Sequence, residues 1–277
     1  MLTRILLALA FSTVCLAQCS QEIARGTWAI YYQGTNMTAG SSGPVATPVA
    51  QLTVAKVDYG GNFSGTGYVS IGGQVKSVTL SGNIQVNADC TASDTYTMNV
   101  AGTGLLSGTG TERLLILNNG AEMRAMTTRG LLGSPAGTVY YRRMSWWDAE
   151  CSQDMVHGAY GTSFDGVFVM TPPGQSQAVA YPYSQLGVGA YDYAGKGGGR
   201  ATMSLGGNVV PAVISDATLT VNADCSGTLK YPSGTLQLVV LNYGDEMLAI
   251  GAQITGGSPI FIGKYTRIST TPVMPNW

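Results

Sequence analysis

The feature that most constrains this chain is that it says nearly the same thing twice. Cys19-Ser-Gln-Glu returns as Cys151-Ser-Gln-Asp, and Gly26-Thr-Trp28 returns as Gly158-Ala-Tyr160 at the same spacing. Gln51-Leu52 with Asp58-Tyr59 is answered by Gln185-Leu186 with Asp192-Tyr193, and Val86-Asn-Ala-Asp-Cys90 by Val221-Asn-Ala-Asp-Cys225. Towards the ends of the copies, Asn118, Gly120, Glu122 and Met123 match Asn242, Gly244, Glu246 and Met247, while Tyr141 and Arg143 match Tyr265 and Arg267. So many matches in one order mark a duplicated folding unit, with small insertions confined to turns. The 277 residues then divide into two modest domains, each long enough to bury a core.

Within each copy, runs rich in Val, Thr, Tyr and Ile alternate with Gly-Gly, Asn-Gly and Ser-Pro turns, which is the pattern of short antiparallel strands. Eight strands are predicted in the first copy, starting near Trp28, Gln51, Gly65, Val75, Thr95, Arg113, Glu122 and Thr138, and the second repeats them from Tyr160 to Ile268. Eight consecutive strands on short turns close most economically as an up-and-down barrel, because closure removes both exposed edges. The expected fold is therefore all-β, two tandem eight-stranded antiparallel up-and-down barrels, with two-sheet sandwiches as the alternative. Leu114-Leu-Ile-Leu117 and Leu238-Val-Val-Leu241 are apolar on both faces, so something must cover the outside of that strand: the other barrel or a partner subunit.

The amino terminus reads as an export signal, Arg4 followed by an apolar run from Ile5 to Leu16 that is too short to span a bilayer. Cleavage after Ala17 gives the expected division: signal peptide 1–17, first repeat 18–147, second repeat 148–270 and a tail 271–277. Gln18 stands where a lipidation site needs a small residue, which argues against Cys19 as a lipid anchor. Loss of Cys15 with the signal leaves four of the five cysteines. Of their three pairings, Cys19 to Cys90 with Cys151 to Cys225 treats the two copies alike, and it is favoured over the cross-domain alternatives. The protein is thus expected to be secreted, extracellular or periplasmic.

Charged residues make up 10% of the chain and the formal net charge is -1, so no basic footprint exists for nucleic acid, and none is expected as a partner. No second long apolar run calls for membrane insertion. No metal or other cofactor is expected, because zinc needs His or spare Cys, and calcium needs several spaced oxygen ligands. Asp58 and Asp192, each before a glycine turn, and Asp89 and Asp224, each before a cysteine, suit turn capping. His157, the single histidine, has Arg25 as its counterpart, so a mechanism common to both copies cannot use it. Asn36-Met-Thr38 and Asn62-Phe-Ser64 match glycosylation acceptors, and Gly195-Lys-Gly-Gly-Gly199 reads as a strand-to-strand turn.

The order glycine-aromatic near a first cysteine, Asp58-Tyr-Gly-Gly-Asn-Phe-Ser-Gly65, then Asn83-Ile-Gln-Val-Asn-Ala-Asp-Cys90, resembles a group of uncharacterised secreted bacterial tandem-repeat proteins. Their barrel is similar to that of allene oxide cyclases and dirigent proteins, relatives of the calycins, and this resemblance implies binding or cyclisation of small apolar molecules. No catalytic residue of those families maps onto a position here. The candidate ligand-binding set is Glu122, Tyr141 and Arg143 with Glu246, Tyr265 and Arg267, each trio on a hairpin turning near Gly133 or Thr255 to Gly257. That hairpin is expected to set the glutamate opposite the arginine at a barrel mouth; the plainer alternative is a cross-strand ion pair with a tyrosine in the wall. Three functions follow in order: a non-catalytic binding module for a small apolar ligand; a structural or adhesive surface protein that self-associates or binds a partner through an apolar barrel face; and a dirigent-like cyclase or isomerase. The chain leans away from being an enzyme.

Overall fold

The computed structural model describes residues 19–40, 43–102, 108–130, 134–145 and 150–272. The expected signal segment 1–17, the turn at Gly133 and residues 273–277 of the tail lie outside them. The first copy comprises β1 (Gly26–Gly40), β2 (Gly43–Val57), β3 (Asn62–Ile71), β4 (Gln74–Val86), β5 (Thr91–Val100), β6 (Gly108–Leu117), β7 (Glu122–Arg129), β8 (Ser134–Ala136) and β9 (Thr138–Ser145). The second comprises β10 (Gly158–Met170), β11 (Val179–Tyr191), β12 (Lys196–Leu205), β13 (Asn208–Val221), β14 (Ser226–Tyr231), β15 (Gly234–Leu241), β16 (Glu246–Ile254) and β17 (Ser258–Ser269). Each copy closes into an eight-stranded antiparallel barrel. In the second, β10 pairs with both β11 and β17. In the first, β1 pairs with β2 on one side and with β9 and β8 on the other, so β8 and β9 act as a single strand interrupted at Gly137. A Cβ on Gly137 would come within 2.6 Å of the Tyr32 ring, which is why that position takes glycine.

One end of each barrel is sealed by a single 3-10 turn, Gln21–Ala24 in the first and Gln153–Val156 in the second, each pushing one small apolar side chain, Ala24 or Val156, wholly into the core. The turn is fastened by matching contacts. Gln21 donates to the Ile84 carbonyl at 2.9 Å and accepts from the Val86 amide at 3.0 Å, and Gln153 accepts from the Val221 amide at 3.0 Å. Disulfides Cys19–Cys90 and Cys151–Cys225 tie the segment before each turn to the loop between the fourth and fifth strands of its own barrel. The within-copy pairing is therefore the one adopted.

The two barrels pack directly on each other. Ala29, Ala50 and Leu52 on the outside of β1 and β2 bury against Val239, Leu241, Leu248, Ile250 and Ile260 on β15 to β17. Full burial of a side chain such as Leu52 or Ile250 contributes roughly 1.5–3 kcal/mol. This explains one doubly apolar strand: Leu238 and Val240 face their own core, while Val239 and Leu241 face the other barrel. It does not explain its counterpart, since Leu115 is 47% exposed. The contact uses different faces of the two copies, and the unused faces have diverged. On the second barrel, Gly161, Ser163, Ser184 and Thr202 stand where the first has Ala29, Tyr31, Ala50 and Tyr68; on the first, Arg124 and Thr138 stand where the second has Leu248 and Ile262. Leu186, Leu115 and Met126 keep apolar character there and lie exposed.

Gly197, Gly198 and Gly199 belong to β12 and not to a turn, a correction whose cause is close backbone approach: a Cβ on Gly197 would meet the Ala190 carbonyl at 1.9 Å. Replacing Cys19 and Cys90 together by serine is expected to cost the first barrel about 2–5 kcal/mol. Calorimetry should then show its transition moving down while that of the second barrel stays in place.

Candidate functional site

The inward positions of the two barrels hold different things. In the second, Phe164, Phe168, Phe261, Tyr183 and Tyr265 fill the lumen, with Phe164 5.3 Å from Phe261 and 5.6 Å from Tyr265, and Tyr183 stacked on Phe261 at 5.1 Å. Phe164 fits because Gly263 opposite it has no side chain; a Cβ there would lie 2.0 Å from the ring. The register gives the first-barrel counterparts: Val49 for Tyr183, Gly137 for Phe261 and Asn36 for Phe168. Three rings are thus exchanged for small or polar groups.

The first barrel accordingly encloses a cavity of about 90 Å³, smaller than the roughly 150 Å³ apolar site that holds a benzene. It runs from Glu112 and Tyr141 in mid-barrel towards Asn36, Ile71 and Gly130, at the strand ends remote from the disulfide. Apolar walls come from Ile30, Val49, Phe63, Val69, Leu80 and Met98, and polar groups from Gln51, Tyr96, Thr127 and Glu112.

At the inner end lies a buried carboxyl pair. Asp94 on β5 and Glu112 on β6 are direct cross-strand neighbours, 3% and 5% exposed. The Tyr141 hydroxyl is 3.1 Å from Asp94 Oδ2 and 2.8 Å from Glu112 Oε2, and Thr127 donates to Glu112 Oε1 at 3.2 Å. A phenol has one hydrogen and can donate to one carboxylate only. The second contact is a hydrogen bond only when that carboxyl carries a proton and donates to the phenol oxygen. Burial, reinforced by the charge of Asp94, pushes Glu112 up to about 8, and burial pushes Asp94 up to about 6. Around neutrality the pair therefore holds one proton and one negative charge between its two carboxyls. Burial likewise raises the phenols of Tyr141 and Tyr96, which stay neutral. Asp94 Oδ1 is buried with no hydrogen-bond partner among the described residues. In the second barrel Leu229 and Leu236 take the places of Asp94 and Glu112.

The residues singled out from sequence are dispersed. Tyr141 lines the cavity, and Tyr265 is its counterpart in the filled lumen, hydrogen-bonded to Tyr191. Arg143 donates to the carbonyls of Gly120 (2.7 Å), Ile23 and Arg25, and lies over Trp28; Arg267 donates to Met155 and to the Tyr160 hydroxyl. Both arginines clamp the sealed ends. Glu122 and Glu246 are outside the barrels: β7 sets Glu122 opposite Arg142, not Arg143, and a one-residue difference in register changes the face. Arg142 bridges the copies, 3.0 Å from Glu246 and 3.8 Å from Glu122, and Lys264 adds a contact to Glu246 at 2.9 Å. The shared barrel mouth expected for these trios is therefore not formed.

Asp58, Asp192, Asp89 and Asp224 accept backbone amides in their own turns at 2.8–3.0 Å. His157 stacks on Tyr193. Asn36 lines the cavity, whereas Asn62 is tied to Asp58 on the surface. Among the described residues no group of three metal-ligating side chains converges. Asp94 and Glu112 escaped sequence reasoning that sought residues kept by both copies. Their signal was an acid at an inward, otherwise apolar position in one copy and a leucine in the other.

No protein-family model and no curated protein matches the chain. Among solved structures, a protein of unknown function from the DUF3598 family of Nostoc punctiforme PCC 73102 is similar, with 10% identity over 91% of this chain and 100% of that one and a TM-score of 0.24. At that TM-score nothing about this chain follows from it. The fold and the cavity define a tandem β-barrel protein with one hollow and one filled barrel, and its two disulfides fit an oxidising, non-cytoplasmic compartment.

Both carboxyls bind protons more tightly folded than unfolded, where values near 4 apply. Between about pH 4 and pH 8 the folded chain holds the extra protons, so stability falls as pH rises through that window. Thermal denaturation should give a lower Tm at about pH 8.5 than at about pH 5, and the combined Asp94→Asn and Glu112→Gln variant should lose most of the contribution of this pair to that difference.

Proposed function

We propose that this is a secreted, non-catalytic binding module that holds a small apolar ligand in its first barrel. The observation that carries the reading is the contrast between two copies of one fold: the second fills its lumen with aromatic rings, and the first leaves a cavity with polar groups at its inner end. A cavity and a buried carboxyl pair are both destabilising, and nothing in the fold requires them, because the second barrel closes without either. Apolar walls with a few convergent polar groups are the usual make-up of a small-molecule site. The second barrel supports the first, covering the outside of β1 and β2.

The cavity size limits what is enclosed to a short chain, with any remainder extending towards Asn36 and Gly130. Titration of the mature chain with 1-butanol, followed by NMR shifts, should perturb residues around Val69 and Tyr96. Val49→Tyr, which restores the ring found at the equivalent position of the second barrel, should abolish the response, whereas Tyr183→Ala should leave it unchanged. Equal binding by the wild type and Val49→Tyr would overturn the proposal.

A further inference from the structure

The ligand class can be narrowed by charge, an inference that rests on the binding reading above. The Asp94–Glu112 pair carries a negative charge at the inner end of the cavity, whose wall includes Glu112 and, among the described residues, no lysine, arginine or histidine. Its side-chain partners among the described residues are the Tyr141 phenol and the Thr127 hydroxyl, neither of which carries a positive charge. Burying a charge without a counter-charge is costly, and the cost is relieved when a cation is brought to it. Glu112 forms part of the cavity wall, and Tyr32, Phe63 and Tyr96 line the same space, rings of the kind that attract cations by their quadrupoles. Ile71, Val69 and Met98 continue the wall with apolar surface.

We infer that the first barrel selects an amphipathic primary amine, its ammonium group set against Glu112 of the carboxyl pair and its hydrocarbon stem running towards Ile71 and Gly130. A carboxylic acid ligand is disfavoured by like charge, and an alcohol satisfies the hydrogen bonds without cancelling the charge. The titratable groups that line the cavity are Glu112, Tyr32, Tyr96 and Tyr141, with Asp94 beside Glu112 as its cross-strand neighbour. Burial keeps the three phenols neutral, so the carboxyl pair alone sets the pH dependence. Raising the pH from about 5 to about 8 removes protons from the pair while an alkylamine stays charged, and amine binding tightens.

The test is calorimetric titration of the mature protein with n-hexylamine, 1-hexanol and hexanoate, which differ only at the head. At about pH 7.5, n-hexylamine should bind at least tenfold more tightly than 1-hexanol, and hexanoate most weakly. The Asp94→Asn, Glu112→Gln double variant should bind the amine no better than the alcohol while still binding 1-hexanol, which also reports that it is folded. Equal affinity for amine and alcohol in the wild type, or a preference for hexanoate, overturns the charge inference and leaves the binding reading in place. No binding of any of the three overturns both.

Discussion

Closure is the constraint on which everything else in this molecule depends. A strand at the edge of an open sheet leaves a row of amides and carbonyls unpaired, and here β1 and β10 remove both edges by pairing on two sides. A closed barrel then has two ends to seal. At one of them the 3-10 turn does this, held by a disulfide, a glutamine that hydrogen-bonds to the fourth strand, and an arginine that gathers the carbonyls of the turn. These are the residues that the two copies share most closely, because they solve the same geometric problem in each.

Once the wall and one end are fixed, the lumen is free to differ. Side chains alternate in and out along each strand, so an inward position can change without disturbing the hydrogen-bonded ladder. The second copy uses that freedom for aromatic packing and the first for a cavity. The exchange of Leu229 and Leu236 for Asp94 and Glu112 converts the middle of a core into a place where a proton and a negative charge are held out of water. Such a pair is more demanding than a leucine pair, and it sits in the copy whose neighbouring rings are missing.

The outer surfaces diverged by the same alternation. The face of the first barrel that receives the second is apolar at Ala29, Ala50 and Leu52, and its equivalent on the second barrel carries Gly161, Ser184 and the exposed Leu186. An interface between unlike faces could in principle repeat along a filament. The polar substitutions on the two unused faces make them unlike the pair that meets here. Arg142, with Glu122 on one side and Glu246 on the other, completes the rim of the contact between the two barrels.

Taken alone, the sequence determined the duplication, the eight strands of each copy, the within-copy disulfides and the turn roles of the aspartates, because periodicity, cysteine parity and turn chemistry are local properties of the chain. It also marked Leu238-Val-Val-Leu241 as a strand covered on both faces. Tertiary structure decided which barrel is hollow, since that depends on whether Val49, Gly137 and Asn36, far apart in the chain, meet across a lumen. It decided the fate of Glu122 and Arg143 as well, because a register one residue away from the expected one puts them on opposite sides of a wall only one strand thick. The carboxyl pair became visible as a pair only when β5 and β6 set Asp94 beside Glu112, a proximity that spacing along the chain does not encode.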